Sequence, residues 1–262
     1  MAVSFVQAVL GLVSGSLVGF SLGLVGGGGS ILAVPLLVYV VGVSDPHVAI
    51  GTSAVAVAAN AAGNLFGHHR ARNVVWRCAL TFAAAGIAGA FLGSTLGKMV
   101  NGQKLLAAFA ILMMVVAGLM LRKRASGGIR VEHISRDMAL RLVAVGLGAG
   151  ALSGFFGIGG GFLIVPGLML ATGMPILNAI GSSLVAVTAF GATTAANYAV
   201  SGSVNWPIAA LFICGGICGG YAGSGAAHAL SNRKGYLNTV FAVLILVVAA
   251  YMLTRSLSAI GL

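Results

Sequence analysis

The apolar positions of this chain come in long blocks rather than in a two- or seven-residue alternation. Runs bounded by charged or turn residues fall at 3–25, 30–42, 46–66, 76–97, 104–121, 139–157, 161–172, 175–200, 206–229 and 236–254. Each predicts a helix with apolar surroundings on every side. Eight of the runs are long enough to cross a bilayer, whereas 30–42 and 161–172 hold only 13 and 12 residues. At the helical rise those two reach about 20 Å into a hydrocarbon core roughly 30 Å thick, so each reads as a half-helix.

The two short runs recur because the chain repeats itself. Gly26, Gly28, Gly29 and Pro35 fall on Gly157, Gly159, Gly160 and Pro166 at a constant offset of 131. At an offset of 130 the match continues from Gly51-Thr52-Ser53 onto Gly181-Ser182-Ser183, from Val74 and Trp76 onto Val204 and Trp206, and from Gly86, Gly89, Gly93 and Ser94 onto Gly216, Gly219, Gly223 and Ser224. Two homologous units, 1–121 and 138–262, are therefore expected, joined by the one markedly polar stretch, Arg122 to Asp137.

Composition agrees: of 262 residues 59% are hydrophobic and 6% charged, with a mean hydropathy of +1.09. Such a chain is an all-α polytopic membrane protein, with the lipid bilayer as its principal partner. The net charge of +11, from 14 Lys and Arg against Asp45, Glu132 and Asp137, would suggest nucleic acid in a soluble protein. Here the basic residues sit at the ends of apolar runs, where loops and snorkelling side chains belong, and a nucleic-acid partner is set aside. Cys78, Cys214 and Cys218 have neither disulfide nor metal spacing and are expected as small buried packing residues. No basic residue precedes the first run, so that run is expected to stay in the protein rather than be cleaved as a signal peptide.

The distribution of charge also bears on topology. The loop Gly67–Arg77 and the linker are the most basic stretches, while Ser201–Trp206, the second unit's equivalent of the first loop, carries no charge. By the positive-inside rule the first two are cytoplasmic and the third is not. Equivalent loops on opposite sides indicate an inverted repeat, each unit a Gly-broken hairpin of one long and one short helix followed by three spanning helices, with both termini outside. This scheme leaves Lys98 and Lys104 on the outer side, and a parallel repeat of four spans per unit stays open as the alternative.

Candidate chemistry gathers at the breaks. Gly26-Gly27-Gly28-Gly29-Ser30 and Gly157-Ile158-Gly159-Gly160-Gly161 lie between apolar runs, where an ordinary connecting loop would be polar. Unwound main chain at membrane depth is tolerated only when buried in protein or lining a wet cavity. A half-helix starts after each break, and its free N–H groups and positive dipole end suit an anion without a buried cation. The competing role for these glycines is close helix crossing. Thr52, Ser53, Ser182 and Ser183 lie early in the next helices, placed either to complete an oxyanion shell or to bond back to a carbonyl one turn earlier. Asn60, Asn64, Thr193 and Thr194 lie deeper, as path-lining or helix-joining residues. Asp45-Pro46 reads as a helix cap, and His47 and His228, near helix ends, are the candidates for a titrating switch. His68 and His69 join the basic loop.

A G-x-G-G-G break, a Pro about six residues on, G-T-S or G-S-S in the next helix, V-x-W after the following loop and a Gly-rich third span together resemble both halves of the TauE/SafE family of sulfite and organosulfonate exporters, over nearly the whole chain. The resemblance implies export of sulfite, sulfoacetate or related small anions across the bacterial cytoplasmic membrane. Ser30 stands where the second unit keeps Gly161, which leaves the two half-sites unequal. Uptake or channel-like passage of another small anion is the alternative transport role.

Other classes fit less well. An intramembrane enzyme needs a nucleophile with a base, or a metal shell. Ser14-Gly15 and Ser153-Gly154 have no Gly two residues before the Ser and no mid-span His to pair with. Neither a catalytic residue, a metal ligand nor a cofactor is expected, and an assembly subunit would have no use for duplicated breaks. No Asp or Glu falls inside a run, so the carboxylate relay common in proton-coupled carriers is not expected.

Overall fold

The computed structural model describes residues 4–122, 135–159, 161–229 and 234–260, the side chains of 25–28, 120, 122, 227–229, 234–241, 257, 259 and 260 excepted. Gly160, linker positions 123–134 and the side chain of His228, all singled out above, lie outside the described residues.

The described chain is helical throughout. Helix α1 (Phe5–Val25) runs into a 3-10 stretch (Gly26–Leu32), a single α turn α2 (Ala33–Pro35) and a π turn (Leu36–Val40). There follow α3 (Pro46–Arg70), α4 (Trp76–Met99), α5 (Gly102–Arg122), α6 (Arg136–Phe156), α7 (Gly161–Thr172), α8 (Ile176–Val200), α9 (Trp206–Ala229) and α10 (Lys234–Ile260). Seven of them, α1, α3, α4, α5, α6, α8 and α9, are long and apolar enough to cross a membrane, and α10 presents the apolar stretch Ala242–Ser256.

The expected half-helix at 30–42 is replaced by a composite. Four glycines in a row impose no side-chain preference on the winding, and the segment tightens into 3-10 geometry. Pro35 has no N–H to give to the ladder, and beyond it the bonds lengthen: Val41 N–H reaches the Leu36 carbonyl at 2.9 Å, five residues back. Helix α7 remains α-helical around Pro166.

Caps fix the other starts. The Asp45 carboxylate accepts from His47 N–H at 2.8 Å with Pro46 at the first helical position, and Ser135 accepts from Met138 N–H at 3.2 Å. The loops after α3 and α8 share one conformation. Arg72 and Gly202, equivalent positions, both have positive φ (56° and 69°), and Asn73 and Ser203 N–H both bond to the carbonyl five residues earlier at 3.0 Å.

Two backbone-to-backbone contacts join α1 to α9 and α6 to α4. A Cβ added at Gly15, Gly19 or Gly23 of α1 would collide with the main chain of Phe212, Gly216 or Gly220 of α9. The equivalent glycines of α6, Gly146, Gly150 and Gly154, meet Phe82, Gly86 and Ala90 of α4 in the same way. Contacts that advance together along both helices mean that α1 runs parallel to α9 and α6 to α4. With lipid outside there is no hydrophobic gain from helix association, and close dispersion contact of this kind takes its place. Cys78 is buried, but Cys214 and Cys218 are exposed. The expectation that all three would be buried fails because α9 turns its glycine stripe inward and its cysteines outward.

Helices α3 and α8 cross at the centre in opposite directions. Gly51, near the start of α3, meets Tyr198 and Ser203 at the end of α8. Gly181, near the start of α8, meets Asn73 just past the end of α3, and Ala54 and Ala58 meet Gly191 between them. Equivalent helices thus run antiparallel.

Candidate functional site

The second break is held by hydrogen bonds and placed by its glycines. Gly157 closes α6 in the left-handed region (φ 67°), and its N–H and that of Ile158 return to the Gly154 and Ser153 carbonyls at 3.3 Å. Ser53 Oγ on α3 lies 3.0 Å from the Gly157 carbonyl and 2.8 Å from that of Ile50, its one O–H shared between them. Gly159 is also left-handed (φ 66°), and a Cβ there would come 2.8 Å from Val57 Cγ1 and 3.2 Å from Val187 Cγ1. Val57 and Val187 are equivalent positions at the middle of α3 and α8. Gly159 therefore sits between the two central helices at half their length. Helix α7 begins two residues later, and its first-turn N–H groups have no partner within the helix.

The first break packs against the second half of the chain, the 3-10 stretch lying on both α7 and α8. Gly29 presses on the main chain of Ser21 and Leu22, and Ser30 and the Ile31 side chain beside it are fully buried. The Gly26–Leu32 stretch is brought against α7, Ser53 against Gly157 and α3 against α8.

The remaining hydroxyls divide between two jobs. Thr52 Oγ1 accepts from the Asn205 N–H at 2.9 Å, and its equivalent Ser182 Oγ accepts from the Val75 N–H at 2.9 Å. Each thereby ties the loop preceding a helix of the other unit, at opposite ends of the α3–α8 pair. Ser183 Oγ donates to the Ile180 carbonyl at 2.7 Å, and Thr193 Oγ1 to that of Ala189 at 2.8 Å. Asn64 Nδ2 donates to the Asn60 carbonyl at 2.9 Å. The Asn60 amide and Thr194 Oγ1 are buried without a hydrogen-bond partner.

Two features of the site were not among the sequence candidates. Val57 and Val187 flank Gly159, and their repetition at the offset of 130 was the available signal. An apolar groove of about 350 Å³, lined by Val55, Ala58, Ala59, Ala192, Ala195, Ala196, Ala199 and Trp206, opens between α3 and α8. Lys98, awkward for the charge scheme, is fixed at the end of α8. Its Nζ donates to Asn197 Oδ1 at 2.7 Å, Ser201 Oγ at 2.8 Å and the Asn197 carbonyl at 3.1 Å. A cation at the negative end of a helix, with three acceptors, is tied to its position by local structure rather than by membrane sidedness.

The sequence model of the sulfite exporter TauE/SafE family matches residues 11–252. A probable membrane transporter protein of Xylella fastidiosa (strain Temecula1) is 56% identical over 245 residues, which cover 93% of this chain and 94% of the relative. Another, YunE of Bacillus subtilis, is 30% identical over 260 residues, covering 91% and 92%. No solved structure matches the chain significantly. A helical protein of membrane-spanning segments, with a glycine break set between its central helices and these relatives along its length, belongs to the TauE/SafE family of membrane transporters, not enzymes.

Proposed function

We propose that the protein exports small sulfur-containing anions, sulfite, sulfoacetate or related organosulfonates, across the bacterial cytoplasmic membrane through a site between its two units. The observation that carries this reading is Gly159, a left-handed residue beside unwound main chain, at half depth between equivalent positions of two equivalent helices. The substrate site is assigned to the break segments Gly26–Ser30 and Gly157–Gly161 with Ser53 and Ser183. Thr52 and Ser182 hold the loops at either end, and Asn60, Asn64, Thr193 and Thr194 line the approach.

The units, 1–121 and 138–262, form an inverted repeat with the linker 122–137 in the cytoplasm and both termini outside. The antiparallel crossing of α3 and α8 supports this arrangement, because a parallel repeat would set equivalent helices side by side in the same sense. The basic loop after α3 and the uncharged loop after α8 supply the orientation.

No ion coupling is required. An anion leaving an inside-negative cell gains about 2.3 kcal/mol per charge for each 100 mV. Of the acidic residues described, Asp45 caps α3 and Asp137 lies in the first turn of α6, both at helix ends.

The test is flux into and out of proteoliposomes with sulfite, sulfoacetate, thiosulfate and sulfate, at imposed potentials of either sign. Sulfite is expected to move fastest, with net flux that reverses with the potential. Flux of all four no faster than in protein-free liposomes would overturn the proposal, and a preference for inward movement of a different anion would replace it with an uptake role.

A further inference from the structure

Pseudo-symmetry makes one departure from it conspicuous. Asn60 of α3 and Phe190 of α8 are equivalent positions, and each lies against an equivalent glycine of the other unit. A Cβ at Gly216 would collide with the Asn60 amide, and one at Gly86 with the Phe190 ring. One turn on, the Asn64 amide lies over Gly220, whereas its equivalent is Thr194. Phe190 is sealed in, stacked on Phe82 at 6.1 Å between centroids. Asn60 is 1% exposed, and neither its Nδ2 nor its Oδ1 has a hydrogen-bond partner. One unit thus carries an aromatic plug where the other carries an unpaired amide.

A buried amide with neither group satisfied is costly, and an apolar side chain would pack against Gly216 without that cost. Asn60 lies three residues beyond Val57, on an adjoining part of the same helix face and within one turn of the level of Gly159. Its polar group is therefore at the depth of the proposed site, at the contact between α3 and α9. Helices α1 and α8, and the described side chains of α9, carry no Lys, Arg, Asp, Glu or His. The nearest titratable side chain along α3 is His68, two turns further on.

We propose that the Asn60 amide, set between α3 and α9 against Gly216, is the polar contact that recognises a monoanionic oxyanion bearing its own O–H, with Phe190 closing the equivalent place in the other unit. This rests on the reading of the protein as an anion transporter. An amide presents N–H donors and a carbonyl acceptor side by side, and a singly protonated oxyanion matches both with its O⁻ and its O–H. A dianion has no proton for the acceptor. Its desolvation cost grows with the square of the charge, and no cation stands at this depth on α1, α3, α8 or the described part of α9 to offset it. For sulfite the recognised form is then the monoprotonated anion, which coexists with the dianion near neutral pH.

Proteoliposome flux of sulfite, and of methanesulfonate, a monoanion with no O–H and no titration near neutrality, tests this. At fixed total sulfite, wild-type flux is expected to fall from the acid to the alkaline side of neutrality while methanesulfonate flux stays level. Asn60→Ala is expected to raise the half-saturating sulfite concentration about tenfold, the usual result of losing hydrogen bonds to a charged ligand. Methanesulfonate should be affected less, and the melting temperature should be unchanged or higher because an unpaired buried group has gone. Asn60→Phe, which copies the other unit, should abolish flux of both. A half-saturating concentration within twofold of wild type in Asn60→Ala, a lowered melting temperature without a transport defect, or sulfite flux equal on both sides of neutrality would each overturn the assignment. A pH response of methanesulfonate equal to that of sulfite would also overturn it, since the titrating group would then be in the protein. If the wild-type protein moves neither anion, the transport reading fails first.

Discussion

Leucine in place of Gly150 or Gly19 is expected to yield a chain that enters the membrane but does not hold its fold. At Gly150 an added Cβ would come within 2.7 Å of the Gly86 Cα and carbonyl carbon, and closer still to the carbonyl oxygen. At Gly19 the same atoms of Gly216 lie 2.6 Å away. The obstacle in both cases is main chain, which has no rotamer to change. The helices must separate along their whole contact, and the loss should exceed the ~1–3 kcal/mol usual for overpacking a core. Because the two contacts are equivalents, the two substitutions should cause similar damage. The check is the fraction of monodisperse protein after detergent extraction, with Gly118→Leu, where a Cβ meets nothing within 4 Å, as the tolerant control. Near-normal recovery of the Gly19 and Gly150 variants would mean that the helices do not approach as described.

The second large effect is expected at Gly159, and there on transport more than on folding. Any L-residue at φ 66° costs about 1–2 kcal/mol, and its Cβ would crowd the stiff β-branched Val57 and Val187 at 2.8 and 3.2 Å. The strain is confined to the break, away from the α1–α9 and α4–α6 contacts, so the variant should still be recovered. Gly159→Leu is expected to abolish anion flux, and Gly159→Ala to reduce it about tenfold or more. Pairing Gly159→Ala with Val57→Ala makes room for the new methyl group and should restore part of the loss. Full flux in Gly159→Leu would remove the break from the substrate path and leave packing as the role of its glycines.

Much of this architecture could be read from the chain. Helix α7 occupies the run expected at 161–172, and α8 and α9 begin within a residue of expectation, because glycine, proline and tryptophan punctuate the sequence there. Other ends were read short. Helix α3 continues to Arg70 through Gly67, His68 and His69, where hydropathy falls but main-chain hydrogen bonding does not. The composite winding at 26–40 was hidden for a related reason: run length predicts that a segment is short, not which hydrogen-bond ladder it adopts.

The bends at Gly157 and Gly159 were legible in the sequence, and the partners of the nearby hydroxyls were not. Whether Thr52 faces an anion or a loop depends on what the other unit brings to it, and the partner proves to be the Asn205 N–H, 153 residues away. Ser53 and Ser183, by contrast, make the local bond that a serine near a helix start commonly makes, and Ser53 reaches Gly157 as well. Tertiary pairing likewise decided the contrast between Asn60 and Phe190. The offset of 130 aligns them, but only the shared contact with an equivalent glycine shows what the substitution of one for the other does.

In the proposed arrangement two equivalent units run in opposite senses around one site, so that the same elements face both sides of the membrane. Ala71 and Ser201 are equivalent, exposed positions in the loops after α3 and α8, and in a protein with Cys78, Cys214 and Cys218 replaced each can carry a single cysteine. With a membrane-impermeant thiol reagent on intact cells, Ser201→Cys is expected to label and Ala71→Cys to label only after permeabilisation. Labelling of both positions from the same side would contradict the inverted arrangement.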